Sequence, residues 1–340
     1  METTSLIQNT DRKEQANGDV VTRTTVLVHK DCQPALDDLR SHLADPKKAK
    51  ALAALVKKLK GKKGPTNVAQ VKQLSPFRYP GGKTWLVPEV RSWLVNAIRP
   101  PTVFVEPFAG GAMAGLTVAH DNLAAHVVLC ELDEDVAAVW QTIFDSPDSD
   151  VRWLQKRITS FEVTLENVRK VLESDTKAVS KKAFRTIIKN RMQRGGIMAP
   201  GAGLIKEGED GRGLMSRWYP DTLAGRIEVL RTLKDRITFV KGDAFEIIRE
   251  HSDDPAAFFF VDPPYTAGGK RAGSRLYAHS EIDHEALFKV MAHVQGSVML
   301  TYDDAPEVRQ LAKEHKFQVK MVPMKNTHHA IVNELLILKS

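Results

Sequence analysis

The tetrapeptide Asp262-Pro263-Pro264-Tyr265, within VDPPYT, follows directly on the apolar run AAFFF. A run of that composition reads as a buried strand, so the motif falls at the strand's carboxyl end, the edge where open α/β sheets bind ligands. Its residue types suit chemistry on an aromatic amine, a poor nucleophile because its lone pair is delocalised into the ring. A carboxylate at Asp262 and the carbonyl of Pro263 can accept the two amino hydrogens. They would favour a tetrahedral nitrogen and stabilise the positive charge that grows as a methyl group arrives. Proline has no N–H to compete, and two in succession stiffen the loop; Tyr265 offers a ring face on which an extruded base can stack. The plainer reading of the same residues is a proline-rich turn that caps a strand.

A second segment, FVEPFAGGA from Phe104 to Ala112, runs from a strand into a glycine turn and then a helix of small residues. Gly110 and Gly111 let the backbone approach a ligand at a helix N-terminus, although a tight strand-to-helix turn needs the same residues and the full GxGxxG spacing is missing. The next apolar run ends in CELDED, which sets Glu131 about 20 residues beyond the glycines, where a carboxylate can hold both ribose hydroxyls of a nucleoside. No lysine of the GKS type follows, so a nucleoside such as S-adenosyl-L-methionine fits better than a nucleotide. In FRYPGGKTW, Gly81 and Gly82 give access to Lys83, which could hold a cofactor carboxylate; a PGG turn ahead of a helix also has a purely structural use. In GDAFE, Asp243 either touches the cofactor's adenine amino group or caps the next helix.

These segments need a scaffold that brings their ends together. From Ser75 onward short apolar runs alternate with amphipathic stretches, the pattern of a mostly parallel sheet covered by helices. The expected strands are Thr102–Glu106, His126–Glu131, Ile237–Lys241, Ala257–Asp262, Ser297–Tyr302, Phe317–Pro323 and Glu334–Leu338. The polar segment from Met324 to Asn333 is too short for a helical crossover, so the last two strands are expected to pair as an antiparallel hairpin. Between Asp150 and Lys234 the strands stop and basic helices take over, with Lys156, Arg157, Lys181, Lys182, Arg185, Lys189, Arg191 and Arg194, which reads as an inserted domain. Its glycine-rich stretch GGIMAPGAGLIKEGEDGRG is turn-prone. Residues 1 to about 70 read as an arm with a basic amphipathic helix in DPKKAKALAALVKKLKGKKGP, where Leu52, Leu55, Val56 and Leu59 share a face. That helix could lie on DNA, dock on the main domain or be solvated on a tether.

The formal charge of +7 over 340 residues fits a polyanionic partner, and fits an ordinary basic protein equally. Cys32 and Cys130 have neither disulfide-framework nor zinc spacing, and Cys130 reads as a small buried hydrophobe. The polar N-terminus METTSLIQNTDRKEQ and the lack of a long apolar window predict a cytoplasmic protein with no membrane partner.

The order PFRYPGGK, VEPFAGGA, CELDED, GDAFE and VDPPYT resembles the Dam-like (class alpha) DNA adenine N6-methyltransferases over roughly Ser75 to Ser340. The resemblance implies a Rossmann-like S-adenosylmethionine-dependent methyltransferase fold: a mostly parallel seven-stranded sheet ending in an antiparallel hairpin, with an inserted helical DNA-recognition domain. It divides the chain into an arm (1–70), a catalytic domain (71–150 and 236–340) and a target-recognition domain (151–235). By resemblance the cofactor, S-adenosyl-L-methionine, is lined by Tyr79, Gly82, Lys83, Glu106, Pro107, Phe108, Gly110, Gly111, Glu131, Asp243, Ala244 and Asp262, while Asp262 to Tyr265 receive the flipped adenine. KNRMQRGG resembles the opening of the family's recognition hairpin and RWYP its close, which implies DNA contacts from Asn190, Arg191, Arg194, Arg212 and Arg217. Gln193, Arg194 and Gly195 stand where the family often has a second aromatic residue or Asn, so target sequence is not carried over. His328 and His329 replace the family's Gly, Arg or Lys; with no third ligand evident they read as a surface loop, and no metal is expected. Implied partners are double-stranded DNA and a cognate restriction endonuclease, with the chain a monomer or weak dimer in a bacterial or phage-infected cell. The alternatives are methylation of RNA adenine or of a protein glutamine, and a catalytically silent DNA-binding protein of the same fold.

Overall fold

In the computed structural model the chain forms two units, Met1–Lys63 and Gly64–Ser340. The structure describes residues 14–16, 19–21, 45, 68, 71–78, 82–199, 201–265, 282–325 and 331–339. In the first unit these include a short antiparallel pair, Glu14–Ala16 with Asp19–Val21, that the arm's composition did not suggest. The basic helix expected there lies outside the described residues, as do Tyr79, Gly81, Thr266, His328 and His329.

The second unit is built on seven strands: β1 (Val103–Glu106), β2 (His126–Glu131), β3 (Ile237–Lys241), β4 (Ala257–Val261), β5 (Ser297–Asp303), β6 (Gln318–Lys325) and β7 (Ile331–Lys339). Their order across the sheet is β3-β2-β1-β4-β5-β7-β6. The pairs β1–β2, β2–β3, β1–β4 and β4–β5 are parallel, whereas β7 runs antiparallel to both β5 and β6. This is the expected mostly parallel sheet closed by a hairpin. The hairpin strands run past their apolar segments, from Val322 opposite Glu334 out to Lys325 opposite Ile331, because a ladder needs only backbone partners.

Strand β4 shows why these sequences become strands. Every residue of AFFFV is buried, and successive side chains serve opposite faces: Phe258 and Phe260 pack with Phe104 and Leu129 on one side, Phe259 and Val261 with Val105 and Cys130 on the other. The second face is covered by α8 (Ala244–Glu250), α9 (His284–His293) and α10 (Pro306–Glu314). The first is covered by α1 (Val87–Val95), α2 (Met113–His120) and α3 (Glu134–Phe144). Its hydrophobic cluster continues without a break into α4 (Asp148–Thr159), α5 (Leu165–Leu172), α6 (Val179–Met192) and α7 (Pro220–Arg231), through residues such as Leu154, Val168, Ile187 and Ile227. The helices inserted between β2 and β3 thus share the main core.

From β1 the chain steps through β2 to β3 on one side, then returns to lay β4 and β5 on the other. The order reverses between β1 and β4, and at such a switch point the two neighbouring loops leave in opposite directions and open a crevice at the carboxyl edge. Glu106 ends β1, and Asp262 directly follows β4.

Candidate active site

Four adjacent parallel strands each deliver a carboxylate to this edge: Glu106 ends β1, Glu131 ends β2, Asp243 lies two residues beyond β3, and Asp262 one beyond β4. Glu106 is buried and its Oε2 accepts the Gly115 N–H at 2.7 Å, within the first turns of α2. A Cβ at Gly115 would come within 2.6 Å of that same oxygen, so a glycine is required for the strand end and the helix to meet this closely. Burial drives the Glu106 carboxyl well above its ordinary range, the neighbouring Asp262 charge adding to the push and the Gly115 bond opposing it.

The glycine turn is held from two sides. Glu131 Oε2 accepts from Gly110 N at 2.8 Å and its Oε1 from Asp133 N at 2.8 Å, while the buried Trp140 indole donates to the Gly110 carbonyl at 3.0 Å. Gly110 adopts φ 46° and Ala112 φ 53°, left-handed values that bend the chain sharply from β1 into α2. Gly111 and Pro107 are buried, with Phe108 half-buried between them and the second cluster. Burial raises the Glu131 carboxyl to about 7 despite its two N–H donors. Asp243 is exposed and caps α8, accepting from Phe245 N at 2.8 Å, with the buried Ala244 as the helix's first residue. Asp243 thus makes the helix cap that one of the two readings of its sequence context expects.

Around Asp262 lies a compact polar network. Its Oδ1 is 3.0 Å from the ammonium of Lys83 and accepts from the Thr301 hydroxyl at 2.7 Å. The Tyr265 hydroxyl lies 3.0 Å from Thr301 Oγ1 and 3.2 Å from Glu334 Oε2, and Lys83 is 3.7 Å from that same glutamate oxygen. Lys83 also sits 4.7 Å over the Tyr265 ring, which stacks on Tyr302 with centroids 5.7 Å apart. Lys83 is 5% exposed and Glu334 7%, so both charges are kept from water and must be neutralised by each other and by Asp262. Burial lifts the Tyr265 hydroxyl well above its ordinary range, with the charges of Asp262 and Glu334 adding to the effect. Pro263 is buried and Pro264 half-buried, which fixes the loop carrying these groups, while Gly82 is exposed beside Lys83.

Four segments far apart in sequence thus converge: Lys83 ahead of α1, Asp262 to Tyr265 after β4, Thr301 on β5, and Glu334 on β7. Glu334 and Thr301 were not singled out in the sequence. Thr301 lies within an apolar strand and Glu334 at the start of one, and only the placement of β7 beside β5, with Thr301 opposite Leu336 and Asp303 opposite Glu334, brings them to the motif.

The residues of the insertion expected to contact DNA separate into two kinds. Arg194 and Arg212 are exposed and Arg217 half-buried, whereas Asn190 is fully buried and Arg191 nearly so. Asn190 accepts from Arg78 N at 2.8 Å and donates to Arg78 O at 3.1 Å and to Gly196 O at 2.9 Å. Arg191 donates to the Pro76 carbonyl, and Arg226 to the Ser75 carbonyl at 2.8 Å. Burial, with repulsion from Arg226, Arg78 and Arg217, lowers Arg191 to about 10. In this arrangement Asn190 and Arg191 hold the backbone that leads toward Lys83, a contact that a solvated basic helix would not suggest.

A family model described as D12 class N6 adenine-specific DNA methyltransferase matches residues 79–168 and 216–327. No curated protein matches the chain. Among solved structures, a Pyrococcus horikoshii protein described as an RNA methyltransferase aligns at 11% identity and TM-score 0.35, over 80% of this chain and 92% of its own. An rRNA methyltransferase from Streptomyces viridochromogenes aligns at 12% identity and TM-score 0.33, over 75% of this chain and 83% of its own. A magnesium protoporphyrin IX methyltransferase from Synechocystis with bound SAM aligns at 10% identity and TM-score 0.31, over 75% and 78%.

Proposed function

Because the chain belongs to the D12 class N6 adenine-specific DNA methyltransferase family, we propose that it transfers a methyl group from S-adenosyl-L-methionine to the exocyclic amino nitrogen of an adenine flipped out of double-stranded DNA. The observation that carries this reading is the placement of Asp262 at the switch point, one residue beyond β4 and close enough to Glu106 for their charges to interact.

The acidic edge fits the cofactor, a cation with a nucleoside. Glu131, held in place by two backbone N–H groups, has lone pairs remaining for ribose hydroxyls, and Gly110 and Gly111 give backbone access. Glu106, Pro107, Phe108, Asp243, Ala244 and Gly82 complete the proposed cofactor wall, with Lys83 near the cofactor's carboxylate. When bound, the cofactor supplies an electrophilic methyl group on a sulfonium.

The chain's own residues then do the following. Asp262 and the Pro263 carbonyl accept the amine hydrogens and draw the nitrogen lone pair out of conjugation. The two prolines keep those acceptors from reorganising as positive charge develops. Tyr265, its hydroxyl anchored inward, contributes ring surface for the base. The insertion, residues 151–235, with exposed Arg194 and Arg212 and half-buried Arg217, is the proposed target-recognition domain, and phosphate contacts from such side chains supply affinity without sequence information.

The test is incorporation of labelled methyl into duplex DNA, with single-molecule sequencing of DNA from cells that express the chain. The expected result is N6-methyladenine in a fixed context, abolished by Asp262→Ala while duplex binding persists. Turnover retained by Asp262→Ala refutes the role of Asp262; methyl incorporation only into RNA or protein refutes the substrate.

A further inference from the structure

Asp262, the proposed acceptor for the amine, carries a liability. Its Oδ1 lies 3.0 Å from the buried ammonium of Lys83, and a cation at that distance cancels the negative charge that a developing ammonium at the substrate nitrogen requires. Among the described residues a second buried carboxylate is in reach of Lys83, that of Glu334 on β7, 3.7 Å from the same ammonium. Asp262, Lys83 and Glu334 together carry one net negative charge when both carboxyls are ionised; Asp262 and Lys83 alone carry none.

Resting on the methyltransfer reading above, we propose that Glu334 is a positioning residue whose charge holds Lys83 between two carboxylates, so that Asp262 keeps the negative charge needed to stabilise the amine as it is methylated. Glu334 never touches the base in this scheme. It acts through Lys83 and, by its 3.2 Å contact to the Tyr265 hydroxyl, through the orientation of that ring.

Among the described residues, the charged and titratable groups that act on Glu334 are Lys83 ahead of α1, Asp262 and Tyr265 after β4, and Asp303 at the end of β5. Burial raises its carboxyl to about 7; Lys83 and the Tyr265 hydroxyl oppose that, while Asp262 and Asp303 add to it. The charge is therefore lost as pH falls through neutrality, while the hydrogen-bonding shape of the side chain is kept. Glu334→Gln makes the same change at every pH with almost no change in volume.

The experiment uses the full chain, a duplex substrate and labelled S-adenosyl-L-methionine under saturating conditions. In the unaltered chain kcat is expected to rise with pH in a limb centred near 7. Glu334→Gln is expected to lower kcat on the order of tenfold, with KM for the duplex unchanged, and to shift or remove that limb. Affinity for 5′-methylthioadenosine, a cofactor analogue without the carboxylate assigned to Lys83, read by calorimetry, is expected to stay within about twofold, since the substitution leaves the Glu131 and Gly110 contacts intact. Glu334→Asp, which keeps the charge, is expected to retain the limb and recover part of kcat. A Glu334→Gln enzyme with the unaltered kcat and pH profile overturns the proposal and leaves the methyltransfer reading standing. If Glu334→Gln does not fold, a flat kcat profile from about pH 6 to about pH 8 in the unaltered chain overturns it instead. Failure of the unaltered chain to methylate any nucleic acid overturns the underlying reading and the proposal with it.

Discussion

Replacing Gly196 with alanine separates two costs that usually travel together. Gly196 adopts φ 73°, and a Cβ there would lie 2.1 Å from the carbonyl oxygen of Arg78. Gly201 adopts φ 84°, and a Cβ there meets nothing within 4 Å. At both sites alanine is strained by its left-handed backbone, which costs roughly 1–2 kcal/mol. At Gly196 alone the turn must also part from Arg78, and the obstacle is backbone rather than a side chain that can rotate away. That parting breaks the three bonds of Asn190 to Arg78 and Gly196 and leaves a fully buried amide unsatisfied, a further cost of about 2–4 kcal/mol. The difference in stability between the variants is thus on the order of 3 kcal/mol, or roughly 6–12 °C in Tm for a unit of this size. The Arg78 segment also leads toward Lys83, so Gly196→Ala is expected to weaken cofactor-analogue binding, while Gly201→Ala leaves it unchanged. The assays are thermal unfolding followed by near-ultraviolet circular dichroism, and calorimetric titration. Melting temperatures within about 2 °C of each other would show that the Asn190 contacts contribute little and refute the reasoning.

Three further outcomes are expected. Trp140→Phe removes the indole donor to the Gly110 carbonyl and is expected to weaken cofactor binding about fivefold to tenfold with a smaller effect on Tm, measured by titration. Glu131 has a folded-state pKa of about 7 against an ordinary value of 4.5, so the folded chain holds a proton that the unfolded chain has released. Stability from this group is therefore lost as pH rises from about 4.5 to about 7, by a few kcal/mol at most, and urea unfolding of Glu131→Gln is expected to show a shallower decline across that window. Removal of residues 1–63, which carry the lysine-dense stretch, is expected to lower duplex affinity and flatten its dependence on salt without abolishing turnover on short duplexes; an unchanged salt slope in equilibrium binding would exclude this segment from DNA contact.

Most of the seven strands were legible because they are apolar runs bounded by polar or turn residues, a local signal that needs no partner to be read. Ala257–Val261 and His126–Glu131 are the clear cases. The hairpin's outer pairs, such as Lys325 with Ile331, were not legible, since a backbone ladder can continue at a sheet's rim where no apolar alternation marks it. The motifs around Lys83, Glu131 and Asp262 stood out because turn chemistry and strand ends are also local. Glu334 did not, because its significance depends on which strand lies beside β5, a choice made by topology. The burial of Asn190 and Arg191, for which the resemblance implies DNA contacts, was not legible for a related reason: only the packing of α6 against Ser75–Arg78 shows it.

The position of β7 has a consequence for biogenesis. It lies between β5 and β6 yet is the last of the sheet's strands to leave the ribosome. Until it emerges, β5 presents an unpaired edge of mostly apolar residues, and β6 has no partner in the sheet at all. The same strand carries Glu334 to Lys83, residues separated by most of the chain, so the polar network cannot close before that strand has been made. A nascent chain is therefore sticky at one rim and lacks that network, and both conditions end together when a single strand slots into place.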